Sequence, residues 1–190
     1  NRGKDKAMRT IQVSEVTQNI KEMCMLQLRK ANINDLTKIL GICDEARQFQ
    51  REQGFMQWAD GYPSTTVIDA DISASRGYMI SMDGSEIGYC VIDTTGDAEY
   101  DRLHHIWQSQ DKYAAIHRLA LCNTVRGKGL GSEIFEVIEN YIIGQGFRII
   151  KVDTGVENVR MQRILTNLGY NNLGTHIFVW GPRIAFEKVI

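Results

Sequence analysis

Apolar and polar positions along the chain change period several times, and each change marks an element. Leu26 and Leu28 alternate with Gln27 and Arg29, the period-2 pattern of a strand. From Leu36 the period becomes helical. Leu36, Ile39, Leu40 and Cys43 share a face, and Asn34 or Asp35 stands where a cap is needed. Gln53-Gly54 ends that region, and Trp58 to Pro63 reads as a loop broken by Gly61 and Pro63. Ser64 or Thr65 caps a second helix, with Val67, Ile68 and Ile72 inward. Two strands follow, Tyr78 to Met82 and Glu86 to Asp93, joined by Asp83-Gly84, a strong hairpin signal.

Thr94 to Asp111 is polar and lacks a clear period; the pattern predicts a short helix around Leu103 to Trp107 there. Tyr113 to Leu121 is the next strand. Beyond a glycine-rich loop, Leu130, Ile134, Val137, Ile138, Tyr141 and Ile142 form one helical stripe, with Glu133, Glu136 and Glu139 outside it. Gly144 and Gly146 end this helix. Phe147 to Val152 reads as a buried strand. Asn158 opens a helix with Met161, Ile164, Leu165 and Leu168 inward, closed by Gly169. His176 to Trp180 and Ile184 to Val189 form a terminal hairpin around Gly181-Pro182. This order predicts an α/β layered domain with a mixed sheet, not a repeating βαβ fold.

Composition narrows the picture. With 190 residues, the chain suits one domain with a full core. Residues 1–24 are polar, weakly periodic and begin without Met, so they read as an extension or tag-like appendage, and 25–190 as the folded domain. A net charge of −1 argues against nucleic acid as the main partner. No apolar run approaches the roughly 20 residues of a membrane span, and no signal-peptide core precedes the domain. Cys24, Cys43, Cys90 and Cys122 form no CxxC pair, so reduced, buried thiols in a cytoplasmic protein are expected. His104 and His105 are adjacent, with no Cys or carboxylate cluster to complete a metal site; a solvated loop and no metal are expected.

Chemistry concentrates in Val125-Arg-Gly-Lys-Gly-Leu-Gly-Ser132, between a strand and the clearest helix. Three alternate glycines leave backbone amides unshielded, and the helix start adds free N–H groups and a positive dipole end. Together they suit a phosphate or pyrophosphate, with Arg126 and Lys128 adding charge. A P-loop and a dinucleotide-binding fingerprint both require other spacings.

At this junction the chain resembles the GNAT superfamily of N-acetyltransferases, whose pattern is Arg/Gln-x-x-Gly-x-Gly/Ala; Arg126, Gly129 and Gly131 match it. The likeness extends to Ile116-His-Arg-Leu-Ala-Leu121, Asp153-Thr-Gly-Val-Glu-Asn158 and Asn167-Leu-Gly-Tyr170, and covers about Met25 to Lys188. It implies a mostly antiparallel central sheet flanked by helices, and acetyl-coenzyme A as co-substrate. Arg126, Gly127, Lys128, Gly129, Leu130, Gly131 and Ser132 would bind the pyrophosphate. Leu119, Ala120 and Leu121 would pair with the pantetheine arm as an added strand does, and Asn158 would contact that arm. The fourth and fifth strands would splay, with the thioester in the gap.

Many family members place a tyrosine acid seven residues after the Asn158 position; here that residue is Leu165. Tyr170 and Tyr113 remain as substitutes, and the thiol can also leave as a thiolate. His117 is the candidate base, beside the coenzyme strand; a packed strand histidine is the alternative. Arg118 should face the opposite side of the strand, since side chains alternate. The resemblance places the first two helices beside the acceptor cleft, so Trp58 and Tyr62 are assigned to acceptor binding. The function expected is acetyl transfer to a primary amine of a small molecule or peptide. A coenzyme A-binding module or sensor with little catalysis is the alternative, and a homodimer is left open.

Overall fold

A computed structural model of the chain describes residues 25–190 except Met56, Ala59 and Asp60, so the reading of 1–24 as an appendage lies outside the described residues. Seven strands form one sheet: β1 (Leu26–Lys30), β2 (Gly77–Met82), β3 (Ser85–Asp93), β4 (Ala114–Leu121), β5 (Ile149–Gly155), β6 (Asn171–Phe178) and β7 (Gly181–Val189). Their order is β1-β2-β3-β4-β5-β7-β6. Every neighbouring pair is antiparallel except β4–β5. The helices are α1 (Leu36–Glu52), α2 (Thr65–Ser73), α3 (Ala98–Arg102), α4 (Gly131–Gly144) and α5 (Val159–Asn167).

The longer helices cover the sheet because α1, α2, α4 and α5 each carry the apolar stripe their period foretold. On one face, Ile134, Phe135, Ile138 and Ile142 of α4 and Leu165 of α5 pack on Ile80, Cys90, Ile92, Ile116 and Phe186. On the other, Ile39, Ile42 and Cys43 of α1 and Ile68 of α2 pack on Met79, Tyr89 and Val91. Capping follows from side-chain chemistry. Ser64 Oγ accepts from Val67 N, as expected for α2. Before α1, Asn32 rather than Asn34 or Asp35 is the capping side chain. It starts a 3₁₀ turn over Ile33–Asp35, and the Asp35 carboxylate accepts from Asn32 N in return, a capping box. Asp83 and Gly84, with φ of 52° and 78°, make the tight turn between β2 and β3.

Four sequence expectations are corrected. The polar insertion holds its helix earlier, at Ala98–Arg102, followed by a 3₁₀ turn at His104–Ile106. Tyr100, Leu103 and Trp107 recur at helical spacing and are buried with Ala115, Phe178 and Ala185 as a third core cluster. Glu139 does not face solvent: it is buried on α4, where Lys188 Nζ donates to it at 2.7 Å. The terminal turn is Val179-Trp180, with Gly181 (φ 107°) and Pro182 already in β7. β6 starts at Asn171, earlier than the expected His176; a register break between Asn172 and Thr175, at Gly174 (φ 91°), hides the alternation of its first half.

One feature of the sheet sets up the site. β4 and β5 pair only at Ala114↔Ile150 and Ala115↔Lys151. From Ile116 onward, the edge of β4 that faces β5 has no strand partner among the described residues.

Candidate active site

Where β4 and β5 part, a cavity of about 540 Å³ opens. Ile116, Leu119, Phe135, Val152 and Met161 line it on the α4–α5 side, and Asn158, Gln57, Trp58, Tyr62, Asp97, Trp180 and Arg183 complete the lining. His117 and Arg118 stand between.

A bulge in β4 puts them there together. Tyr89 pairs with Ala120 but Val91 with His117, so one extra residue of β4 opposes Cys90. Arg118 takes up the excess at φ 52°, left-handed backbone that a side chain rarely adopts. The expected alternation therefore fails. Arg118 shares the cavity with His117 instead of turning to the opposite face. A buried carboxylate holds the strained residue. Asp71 of α2, 1% exposed, accepts from Arg118 Nε at 2.8 Å and Nη2 at 2.6 Å. Tyr89 donates its hydroxyl to Asp71 at 3.3 Å, and Arg76 reaches it at 3.5 Å. The third guanidinium nitrogen, Nη1, donates to Tyr62 Oη at 2.6 Å.

His117 is packed as well as cavity-lining. Its ring lies against Tyr100, centroids 5.4 Å apart. Its Nε2 stands 3.3 Å from Asp97 Oδ2, in ion-pair range but off hydrogen-bond alignment. Asp97 caps α3, its Oδ1 accepting from Glu99 N and Tyr100 N at 2.8 and 2.9 Å. Burial pushes the Asp97 carboxyl up, but the His117 ring and these two amides outweigh it and hold the group below its ordinary range. Across the cavity, Asp153 of β5 is matched by Arg183 Nε and by the Tyr100 hydroxyl, each at 2.6 Å.

The glycine-rich loop lies outside this cavity, at the start of α4. Gly127 and Gly129 sit at φ 80° and 84°, which only glycine adopts without strain. A Cβ on Gly131 would meet Ile164 Cδ1 of α5 at 2.6 Å, so that glycine lets the two helices close. Among the described residues, no carbonyl or side chain accepts from the N–H groups of Gly127, Gly129, Leu130 or Gly131. Arg126 is turned inward. It donates to Leu121 O at 2.5 Å and to Glu45 O at 3.4 Å, contacts Asn123, and stacks 4.6 Å from the Phe49 ring centre. It thus braces the loop from within, and those backbone amides beside it are left without acceptors among the described residues.

Of the residues named from the sequence, His117, Leu119, Asn158, Trp58 and Tyr62 meet at the cavity. Ala120 and Leu121 continue β4 away from it toward the loop. The Asn158 carboxamide oxygen caps α5 through Met161 N at 3.2 Å. Leu165 is fully buried in the core, so no α5 side chain occupies the usual acid position at the cavity. Neither substitute acid lines the cavity. Tyr113, pushed up to about 12 by burial, gives its hydroxyl to Asp101. Tyr170 is buried in the core and raised by that burial. Trp107 is a core anchor. The sequence missed Asp97, Asp71 and Arg118; an Asp ahead of a buried Tyr100 was a cap signal, but nothing local announced its second oxygen's neighbour. Among the described residues no group of three or more potential metal ligands converges, and no helix is long and apolar enough to cross a membrane.

Comparison with known proteins identifies the family and the fold. The model of the acetyltransferase (GNAT) family matches residues 43–170. An uncharacterized N-acetyltransferase, YesJ of Bacillus subtilis, is 22% identical over 143 residues, 74% of this chain and 78% of that protein. A GNAT-family acetyltransferase from Streptococcus agalactiae superposes with a TM-score of 0.76 at 30% identity, covering 87% of this chain and 95% of that one. The aminoglycoside acetyltransferase AAC(6')-Ib, solved with coenzyme A, superposes with a TM-score of 0.65 at 19% identity over 87% and 95% of the two chains. A second structure of it holds ribostamycin and coenzyme A, with a TM-score of 0.66 at 18% identity over 86% and 93%.

Proposed function

Since the chain belongs to the GNAT acetyltransferase family and is an acyltransferase, we propose that it moves an acetyl group from acetyl-coenzyme A to a primary amine of a small molecule or peptide. The observation that carries this reading is the continuity of three features along β4. Unpartnered amides at the start of α4 suit a pyrophosphate. The open edge of β4 suits an amide-bearing arm. The cavity at the β4–β5 split holds an imidazole where that arm would end.

In this reading the N–H groups from Gly127 to Gly131 bind the pyrophosphate, with Lys128 beside them. Leu119 to Leu121 offer backbone groups to the pantetheine, and Asn158 lies by its thiol end. The acceptor enters between Trp58 and Tyr62 on one side and Trp180 on the other. Its ammonium gives up a proton, with His117 as base, and the free amine attacks the thioester carbonyl. The carbon–sulfur bond breaks as the amide forms, the attacking nitrogen loses its second proton to solvent, and the departing thiolate takes one up from solvent. AAC(6')-Ib, whose fold this chain shares, is named for acetylating aminoglycosides; the acceptor here is a substrate class to be screened, not inherited.

The test is a thermal-shift and thiol-release experiment. Acetyl-CoA should raise the melting temperature by binding only the folded state, and at least one member of an amine panel should release coenzyme A thiol. Gly129→Asp should abolish the thermal shift by setting a carboxylate among the phosphates. An undiminished shift in that variant refutes the loop assignment. Binding without thiol release from any amine would instead indicate a coenzyme A-binding module.

A further inference from the structure

Asp97 divides its two oxygens between two tasks. Oδ1 is committed to structure, accepting the Glu99 and Tyr100 amides that start α3. Oδ2 makes no cap bond and stands 3.3 Å from His117 Nε2 at the cavity wall. The backbone around it is pinned. Asp97 N donates to the Tyr113 hydroxyl at 2.9 Å, and Tyr113 in turn donates to Asp101 at 3.0 Å. Glu99 ties α3 to the β6–β7 turn through Val179 N at 2.6 Å, with Arg102 on the same carboxylate. The polar insertion therefore serves as a mount that brings one carboxylate oxygen to the imidazole.

We infer that Asp97 is the positioning residue of the acetyl transfer, orienting the His117 ring and stabilising its imidazolium while the acceptor amine is deprotonated. This rests on the acetyltransferase reading given above. In the step, the proton passes from the acceptor ammonium to His117. The positive charge so formed lies beside the Asp97 carboxylate, and is released to solvent when the proton leaves.

Other groups around the ring do not supply that charge. Val91, across on β3, is apolar. Arg118, next on β4, is neutralised by Asp71 of α2 and bonded to Tyr62. Tyr100 of α3 presents its ring face and sends its hydroxyl to Asp153 of β5. Asp153 is itself neutralised by Arg183 of β7. Asp97 is the carboxylate left to act on His117 among the described cavity-lining residues.

The experiment is Asp97→Asn, with Asp97→Ser as a second variant. Both residues cap helices about as well as Asp, so α3 is retained while the charge is lost. Two readouts are taken. The first is an NMR titration of the His117 ring in the resting protein, assigned with His117→Gln. Loss of an opposite charge 3.3 Å from the ring should lower its midpoint relative to wild type. The second is the pH profile of turnover on an acceptor found in the amine screen. Its ascending limb should move down with the ring, and limiting kcat should fall on the order of 10-fold. That is well short of the roughly 10⁴-fold loss when a serine-protease triad loses its orienting carboxylate, since this contact is longer and off axis. An unmoved ring midpoint overturns the inference and leaves Asp97 a helix cap. So does a raised acceptor KM with kcat and limb unchanged, which would make Asp97 a holder of the acceptor's ammonium. A wild type that acetylates no amine would defeat the proposed function alone, and the ring titration would still decide whether Asp97 acts on His117.

Discussion

Removing the carboxylate of Asp71 should cost more than removing any surface charge, and the structure says how much. Arg118 is 15% exposed at its side chain and has two of its three nitrogens on Asp71. Replacing Asp71 by Leu leaves a largely buried guanidinium with Tyr62 as its remaining partner, which costs about 3–5 kcal/mol when one member of a buried pair is removed. The bulge can then relax, and release of the left-handed Arg118 backbone returns about 1 kcal/mol. Arg76 loses little, because its shorter contact is with Asp93 at 2.7 Å. A net loss of about 3 kcal/mol corresponds to a fall in Tm of about 6–12 °C for a domain of this size. The decisive assay is a double-mutant cycle in urea with Asp71→Leu, Arg118→Met and both together. The pair should recover at least half of the single Asp71 loss, with a coupling of about 2 kcal/mol. The residual deficit reflects the Tyr89 hydroxyl, left without its acceptor. If the two single effects add to within about 0.5 kcal/mol, the ion pair is not what holds the bulge.

Two further outcomes are expected besides those for Gly129 and Asp97. His117→Gln should keep the fold and acetyl-CoA affinity, measured by calorimetry, while lowering turnover roughly 10²-fold; near-normal turnover would return His117 to a packing role. At acid pH the buried Asp93 should be a leading loss. Burial pushes its carboxyl up, but the Thr95 hydroxyl and amide and the Arg76 guanidinium outweigh this and hold it below its ordinary value. A depressed folded-state value stabilises above the unfolded value of about 3.9 and is lost as pH falls through the folded one. The gap in Tm between wild type and Asp93→Asn should thus narrow as pH is lowered from neutrality toward 2, and a constant gap would refute the linkage.

The fold was legible wherever one period governed a segment. The stripe of α4, the Asp83-Gly84 turn between β2 and β3 and the Ser64 and Asn158 caps all follow from side-chain spacing and hydrogen-bonding capacity. Reading failed where tertiary pairing overrides local pattern. Glu139 looks solvent-facing on its helix because its partner, Lys188, lies 49 residues away on β7. β6 is an edge strand with a bulge, so its first half shows no alternation. The insertion after β3 was expected to hold its helix around Leu103 to Trp107 rather than at α3, because α3 spans only five residues, too short for a periodic signal, though Tyr100, Leu103 and Trp107 were the insertion's buried stripe.

The site divides along the same line. What depends on backbone alone was readable: glycines at 127 and 129 are needed where φ is near 80°, and their position before a helix implies free amides. What depends on side chains meeting across the sheet was not. The bulge is the sharpest case. Alternation sends Arg118 away from His117, and no glycine marks the left-handed residue, so the local sequence argues for the wrong face. The compensating group is Asp71, 47 residues earlier on α2, buried at a helical position where the apolar stripe would accept Ile or Leu. A carboxylate on an inward helical face requires a cation, and that requirement is the one trace of the bulge that the sequence carries. It identifies no partner, because Arg76 and Arg118 both satisfy it. The strained residue is thus held by an ion pair rather than by local propensity. Once held, it brings a guanidinium and, through it, the Tyr62 hydroxyl to the cavity that His117 lines from β4 and Asp97 from the cap of α3. Acceptor specificity should accordingly change more readily through α2 and the loop at Tyr62 than through the glycine-rich loop, whose backbone geometry leaves fewer substitutions open.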